Sequence, residues 1–309
     1  MKKLLSLVVL GGLLLAACGG SGAVAATVDG GDVTISDVEA LIDTNGAAIS
    51  KEQFAQFLAF EIQWRVLNEA ATADYGITIA EEEVTAEADR IYESVAVGDQ
   101  TRDEFLVERG ITEEFLLNIA RQGLLDVGIR EILKGDVGEP TEGQIDAELN
   151  AAKAPLTTAC VSHILVGTEE EALDVMDRLA AGEEFGEVAI EVSTDTLSAE
   201  DNGILPCGTL EGYVVPFRDA VLAAPVGELL GTPVESQFGF HVIMVTDRTD
   251  AAEADLPADE EVVDAARDRL VLDELEDWFL GTMEEAEVSV GEEYGVWQAN
   301  PPTVLPPVG

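Results

Sequence analysis

The chain has 309 residues, 47% of them apolar, with 62 acidic against 16 basic side chains and a formal net charge of −46. That length suggests about two domains of ~150 residues each, and the apolar share excludes global disorder. The charge repels phosphate backbones and anionic head groups, which excludes nucleic acid as a partner and electrostatic adsorption to a membrane. Two histidines and three cysteines are too few for a His/Cys zinc site unless carboxylates complete it, and neither GxGxxG nor GxxxxGK[ST] occurs. No metal and no cofactor is expected.

Residues 1–18 read MKKLLSLVVLGGLLLAAC. Lys2 and Lys3 precede a short apolar run and two small residues, the pattern of a secretion signal too short to span a bilayer as a helix of ~20 residues. Leu15-Ala16-Ala17-Cys18 resembles the bacterial lipobox. That resemblance implies cleavage after residue 17, lipidation of Cys18 and anchoring at a membrane outside the cytoplasm, with residues 18–23 as a flexible tether. Cleavage leaves Lys51, Lys134 and Lys153 as the only lysines. The acid excess reads either as a solvated shell that keeps the protein soluble or as adaptation to salt.

In the mature chain, Ala25 to Ile35 alternates around Asp29-Gly30-Gly31-Asp32, a hairpin pattern. Ser36 with Glu39 reads as the capping box of a helix. Residues 53–71 carry two apolar stripes, Phe57/Phe60/Trp64/Leu67 and Phe54/Leu58/Ile62/Val66, as in a helix buried between neighbours. Thr78 with Glu81 predicts a helix to about Val95, and helical patterns follow at 103–109, 112–133 and, capped by Thr141 and Gln144, to about Lys153. The texture changes at Pro155. A strand over 160–166, helices over 169–181 and 185–190 and a Gly/Pro-rich loop over 193–216 follow. A short helix over 217–223 and strands at 232–234 and 240–245 complete a compact α+β unit. Residues 250–258 read as an acidic linker, 259–286 as a long helix and 288–297 as a closing strand. The ending PPTVLPPVG reads as extended or disordered.

Between 155 and 248 the sequence resembles the parvulin family of peptidyl-prolyl cis-trans isomerases. The matching pieces, in order, are Val161-Ser162-His163-Ile164-Leu165-Val166, Leu179 to Phe185, Ser193-Thr194-Asp195, Asn202-Gly203-Ile204-Leu205, Pro216 to Ala220, Gly227-Glu228, Thr232-Pro233-Val234 and Phe238 to Ile243. Both histidines of the chain fall on the family's two histidine positions. The resemblance implies His163 and His241 at the floor of an active site, with Asp195 or Thr196 as the polar group between them. It further implies Leu205, Phe217 and Phe238 lining a proline pocket, Tyr213 where the family has methionine, and Ser236 as a hydroxyl beside the second histidine. The chain departs from the family at Gly203-Ile204-Leu205-Pro206, where an acid and a second glycine are missing. Gly167 to Glu171 is acidic, which argues against phosphoserine-proline as substrate. Once Cys18 is lipidated, Cys160 and Cys207 remain, an even pair that outside the cytoplasm suggests a disulfide, with two buried thiols as the alternative.

The flanks resemble SurA-type chaperones and PrsA-type foldase lipoproteins. The expected architecture is α+β, with a parvulin-like domain (155–248) inserted between a helical chaperone-like region (24–153) and a returning helix and strand (259–298). A signal peptide (1–17) precedes it, a linker (249–258) joins it, and a Pro-rich tail (299–309) ends it. The function implied is that of an extracytoplasmic foldase that binds unfolded or nascent secreted chains and isomerises their X–Pro bonds. The alternatives are a holdase with an inactive parvulin domain and a structural envelope lipoprotein.

Overall fold

The computed structural model describes residues 22–43, 48–98 and 100–307. The expected signal peptide, Cys18 and most of the expected tether lie outside the described residues. No described helix is long and apolar enough to cross a membrane. The chain divides into two compact units, one formed by Met1–Asp136 with Val271–Gly309 and the other by Val137–Leu270.

The first unit opens with the hairpin β1 (Val24–Val28) and β2 (Gly31–Thr34), turned through Asp29 and Gly30, both at positive φ. Helix α1 (Ile35–Glu39) follows at once. Thr34 caps it, with Asp37 answering, so the capping box lies two residues before the expected Ser36. Helix α2 (Lys51–Tyr75) runs between a Ser50/Gln53 capping box and a left-handed Gly76. Its Leu58, Ile62 and Val66 are buried against the hairpin side, while Phe57 and Phe60 pack on Phe115 at 5.2 and 4.8 Å. Both predicted stripes of this helix therefore find partners.

Helices α3 (Glu81–Val95), α4 (Arg102–Arg109) and α5 (Glu113–Asp136) close a second cluster around Val84, Phe105 and Leu116. Helix α3 starts after Ala80, whose N–H is taken by Glu83, so Thr78 is not its cap.

The second unit begins with α6 (Glu142–Lys153) and β3 (Thr158–Val166). Then come α7 (Glu169–Ala180), α8 (Phe185–Val192), α9 (Thr196–Ala199) and β4 (Gly208–Thr209). It closes with α10 (Val215–Ala223), β5 (Val234–Ser236), β6 (Gly239–Thr249) and a 3-10 turn at Glu253–Asp255. The four strands form an antiparallel sheet in the order β4-β3-β6-β5. Alternation along the central pair sorts the side chains to two faces. Ile164, Val166 and Val242 pack under α7 and α8, whereas Val161, Ile243 and Val245 pack under α10. The same parity puts His163 and His241 on the α10 face.

Helix α11 (Asp259–Glu285) spans the division between the units at 270/271, and α6 lies with the second unit rather than with the expected region 24–153. Beyond it, β7 (Val288–Val290) pairs with β1, so the first unit's sheet, β2-β1-β7, joins the two ends of the chain. The expected single closing strand is two, because Gly291 to Tyr294 turns the chain before β8 (Val296–Ala299). The Pro-rich tail is ordered as β9 (Pro302–Leu305), paired with β8. Its Val304 is 3% exposed and Gln63 of α2 donates to Pro302 O at 3.0 Å, so the ending belongs to the core of this unit.

Candidate active site

His163 lies mid-strand in β3, opposite Ile243, and His241 lies in β6, opposite Leu165. They are diagonal neighbours on one face of an antiparallel pair, close enough for rings to meet. The imidazoles stack with centroids 5.4 Å apart and their Nδ1 atoms 3.2 Å apart. Both residues are buried, at 5% and 4% exposure.

Each outer nitrogen has its own partner. His163 Nε2 is 2.8 Å from Asp195 Oδ2 and 3.0 Å from Ser198 Oγ, and Ser198 O–H donates to the same Oδ2 at 2.7 Å. Ser236 Oγ is 2.7 Å from His241 Nε2 and accepts the Phe238 N–H at 3.1 Å. These contacts fix the protons. A carboxylate only accepts, so His163 carries its proton on Nε2 and Nδ1 is left as an acceptor. His241 Nδ1–H must then donate to it, which leaves His241 Nε2 to accept from the Ser236 hydroxyl. The array is one directed chain, Ser236 to His241 to His163 to Asp195, ending on the carboxylate.

Electrostatics favour a neutral His241 and an ionised Asp195. Burial pushes His241 down to about 4, helped by the neighbouring His163. Burial raises the Asp195 carboxyl, but hydrogen bonds from Ser198 and His163 outweigh it and hold the group below its ordinary value.

An aromatic wall stands over the pair. Phe217 of α10, 2% exposed, meets His163 and His241 edge-on at 5.6 and 5.1 Å, and Tyr213 stacks on Phe217 at 5.0 Å. Burial raises the Tyr213 phenol. Leu205 packs in the same cluster, half-buried.

The segment carrying Leu205 is laced to β3. Gly203 O accepts from His163 N at 2.8 Å, and Leu205 N donates to Val161 O at 2.9 Å. Gly203 has φ +77°, and a Cβ there would lie 2.7 Å from His163 O, so glycine is required where the loop crosses β3. Ile204, at the position of the family's acid, points to solvent at 47% exposure, so the altered loop still delivers Leu205. Cys160 and Cys207 are bonded, with Cα atoms 4.3 Å apart, which clips the end of this loop to the same strand.

Two expected residues stand apart. Thr196 is exposed at the start of α9, and Asp195 takes the polar position beside His163 instead. Phe238 is 61% exposed in the tight β5–β6 turn and is not packed with Leu205, Tyr213 and Phe217. Ser198 was missed by the sequence reading. It sits one helical turn after Asp195 in α9, and the spacing Asp-x-x-Ser at a helix start was the available signal.

Residues 163–247 match the family Rotamase, described as a PPIC-type PPIASE domain. The match begins at His163 and includes every residue of the array. Similarity extends far beyond this domain. The foldase protein PrsA of Halalkalibacterium halodurans is 31% identical over 248 residues, covering 78% of this chain and 71% of the relative. Foldase protein PrsA 2 of Listeria innocua is 32% identical over 254 residues, covering 79% and 76%. The foldase protein PrsA of Exiguobacterium sibiricum is 28% identical over 249 residues, covering 80% and 76%. The chain belongs to the PrsA foldase family and is an extracytoplasmic foldase whose PPIC-type domain is a peptidyl-prolyl cis-trans isomerase.

Proposed function

We propose that this foldase isomerises X–Pro bonds of unfolded secreted chains at the histidine array, while held at the membrane by a lipid on Cys18. The observation that carries the site is the buried chain Ser236–His241–His163–Asp195 lying directly beneath Phe217. Leu205, Tyr213 and Phe217 supply an apolar seat for the proline ring. Phe238 lies in the exposed turn beside Ser236, where it meets residues flanking the proline.

The chemistry asks for no nucleophile. Rotation about the prolyl amide crosses a barrier of ~18–20 kcal/mol without breaking a bond, and unaided exchange takes tens to hundreds of seconds. The twisted amide has lost its resonance, so its carbonyl depends less on solvation. A dry seat that holds proline and favours the twisted form lowers the barrier. In this reading the histidines hold the floor of the seat and their protons stay in place. The neutrality of His241 predicts a rate that its titration leaves flat with pH above neutrality.

Clients are neutral or cationic segments, because 62 acids against 16 bases surround them with negative potential. The lipid anchor is supported by Leu15-Ala16-Ala17-Cys18 following the apolar run. The test is refolding of a client whose slow phase is limited by an X–Pro bond. Catalytic amounts of the protein accelerate that phase if the reading is right. Suppressed aggregation without acceleration overturns it in favour of a holdase.

A further inference from the structure

The first unit has a sheet with an open end. In the order β2-β1-β7, the last strand pairs with β1 on one side and, among the described residues, with no strand on the other. Its hydrogen-bond parity follows from the flanking bonds. Asp29 N donates to Glu287 O at 3.0 Å and Gly291 N donates to Ala25 O at 2.9 Å, with Thr27 opposite Ser289. Residues 287, 289 and 291 therefore face β1. The N–H and C=O groups of Val288 and Val290 point the other way, to the open edge.

Sheet edges are usually blunted by lysine, proline or a covering segment. The strand Val288-Ser289-Val290 carries no such residue. Beside it runs a groove of about 620 Å³ lined by Val288, Val290, Val296, Trp297, Leu305 and Pro306. Val296 and Leu305 are directly paired across the β8–β9 hairpin and are 65% and 48% exposed. The charges along this stretch are acidic, and the one lysine near them, Lys51, lies by Glu293 in the neighbouring pocket. Glu292 lines the groove, Glu287 and Glu293 are exposed beside it, and residues 271–309 hold no lysine or arginine.

From this juxtaposition we propose that the open edge of β7 captures an extended client segment of alternating apolar and basic residues, adding it as a fourth strand. The main chain of the segment pairs with Val288 and Val290. Its apolar side chains rest on the groove, and its lysines or arginines answer the glutamates. The proposal rests on the foldase reading and gives the first unit the task of holding a chain in the conformation that strand addition requires.

The test uses the full chain and a short peptide of alternating valine and lysine, followed by amide hydrogen exchange. Saturating peptide is expected to slow exchange at Val288 and Val290 by at least about tenfold, while Ser289, already bonded to Thr27, does not change. Val290→Pro removes an N–H that β1 does not use, a placement edge strands tolerate, and is expected to weaken binding at least tenfold. Should that variant fail to fold, exchange on the unmodified chain decides alone.

A peptide of alternating valine and glutamate is expected not to bind. Binding without protection at Val288 and Val290, equal affinity for the acidic peptide, or no binding at all overturns the proposal. So does protection that appears without peptide in step with dimer formation, which assigns the edge to a second copy of the chain. Isomerisation of a short prolyl peptide, measured on the same preparation, separates failure of the groove from failure of the foldase reading.

Discussion

Acid should unlock the histidine array before it unfolds the rest of its unit. His241 is pushed from its ordinary 6.5 down to about 4, first by burial and then by His163. In the unfolded chain the imidazole takes up a proton below pH ~6.5, whereas in the folded chain it stays neutral until about 4. The stability from keeping it neutral is thus complete above pH ~6.5 and is lost as pH falls through the folded value. At 1.36 kcal/mol per pH unit the loss reaches about 3 kcal/mol. Asp195, held below its ordinary value, loses its contribution later, on further acidification.

The assay is urea unfolding of the unmodified chain and of His241→Gln from pH 7.5 to 4. The stability gap between them should shrink by up to about 3 kcal/mol across that window. Because the chain has two histidines, NMR titration reads the imidazoles directly. Parallel stability curves, together with a His241 midpoint near 6.5, would refute the neutral His241 in the directed proton chain.

Other perturbations reach separate parts of the site. Phe217→Ala opens a cavity under α10 and should cost ~3–5 kcal/mol in chemical denaturation, and the smaller change Phe217→Leu should keep the fold while lowering isomerase activity. Ser198→Ala withdraws a donor from the Asp195 carboxylate. It should cost ~1–3 kcal/mol and raise the carboxyl's titration midpoint by NMR. Breaking the disulfide with Cys207→Ser, or by reduction, opens a loop of 47 residues and should cost about 4 kcal/mol by loop-closure entropy, read as a lower Tm. It also frees the segment that carries Leu205, so activity should fall below what the stability loss alone explains.

Most of the isomerase unit was legible in the sequence because its signals are short-range and mutually in register. His163, Asp195, Phe217 and His241 sit within strand, loop and helix patterns that carry the family resemblance, while the shared face of the two histidines rests on the β3–β6 register. What escaped is what depends on tertiary partners. Ser198 lies in a helix of four residues, too short for any periodic signal. The first capping box was misplaced because Thr34-x-x-Asp37 and Ser36-x-x-Glu39 overlap, and the end of β2 decides between them. The Pro-rich ending looked like a tail because prolines depress strand patterns, yet a two-stranded hairpin has edges that accept them. Its anchor, Val304 against α2, is separated from its partners by most of the chain. Phe238 was expected among the packed apolar residues, but the tight turn closed by Gly239 holds it outward. There φ is +127° and a Cβ would lie 2.3 Å from Val166 O.

The central claim is that the seat under Phe217 accelerates rotation about prolyl amides. Exchange NMR on short peptides with varied residues before proline, with the purified chain in catalytic amounts, measures that rotation with no coupled step. The account predicts cis–trans exchange far faster than the spontaneous tens to hundreds of seconds, lost in folded Phe217→Leu and unchanged between pH 7 and 8. No acceleration for any residue before proline, from protein whose second unit is shown to be folded, would contradict it.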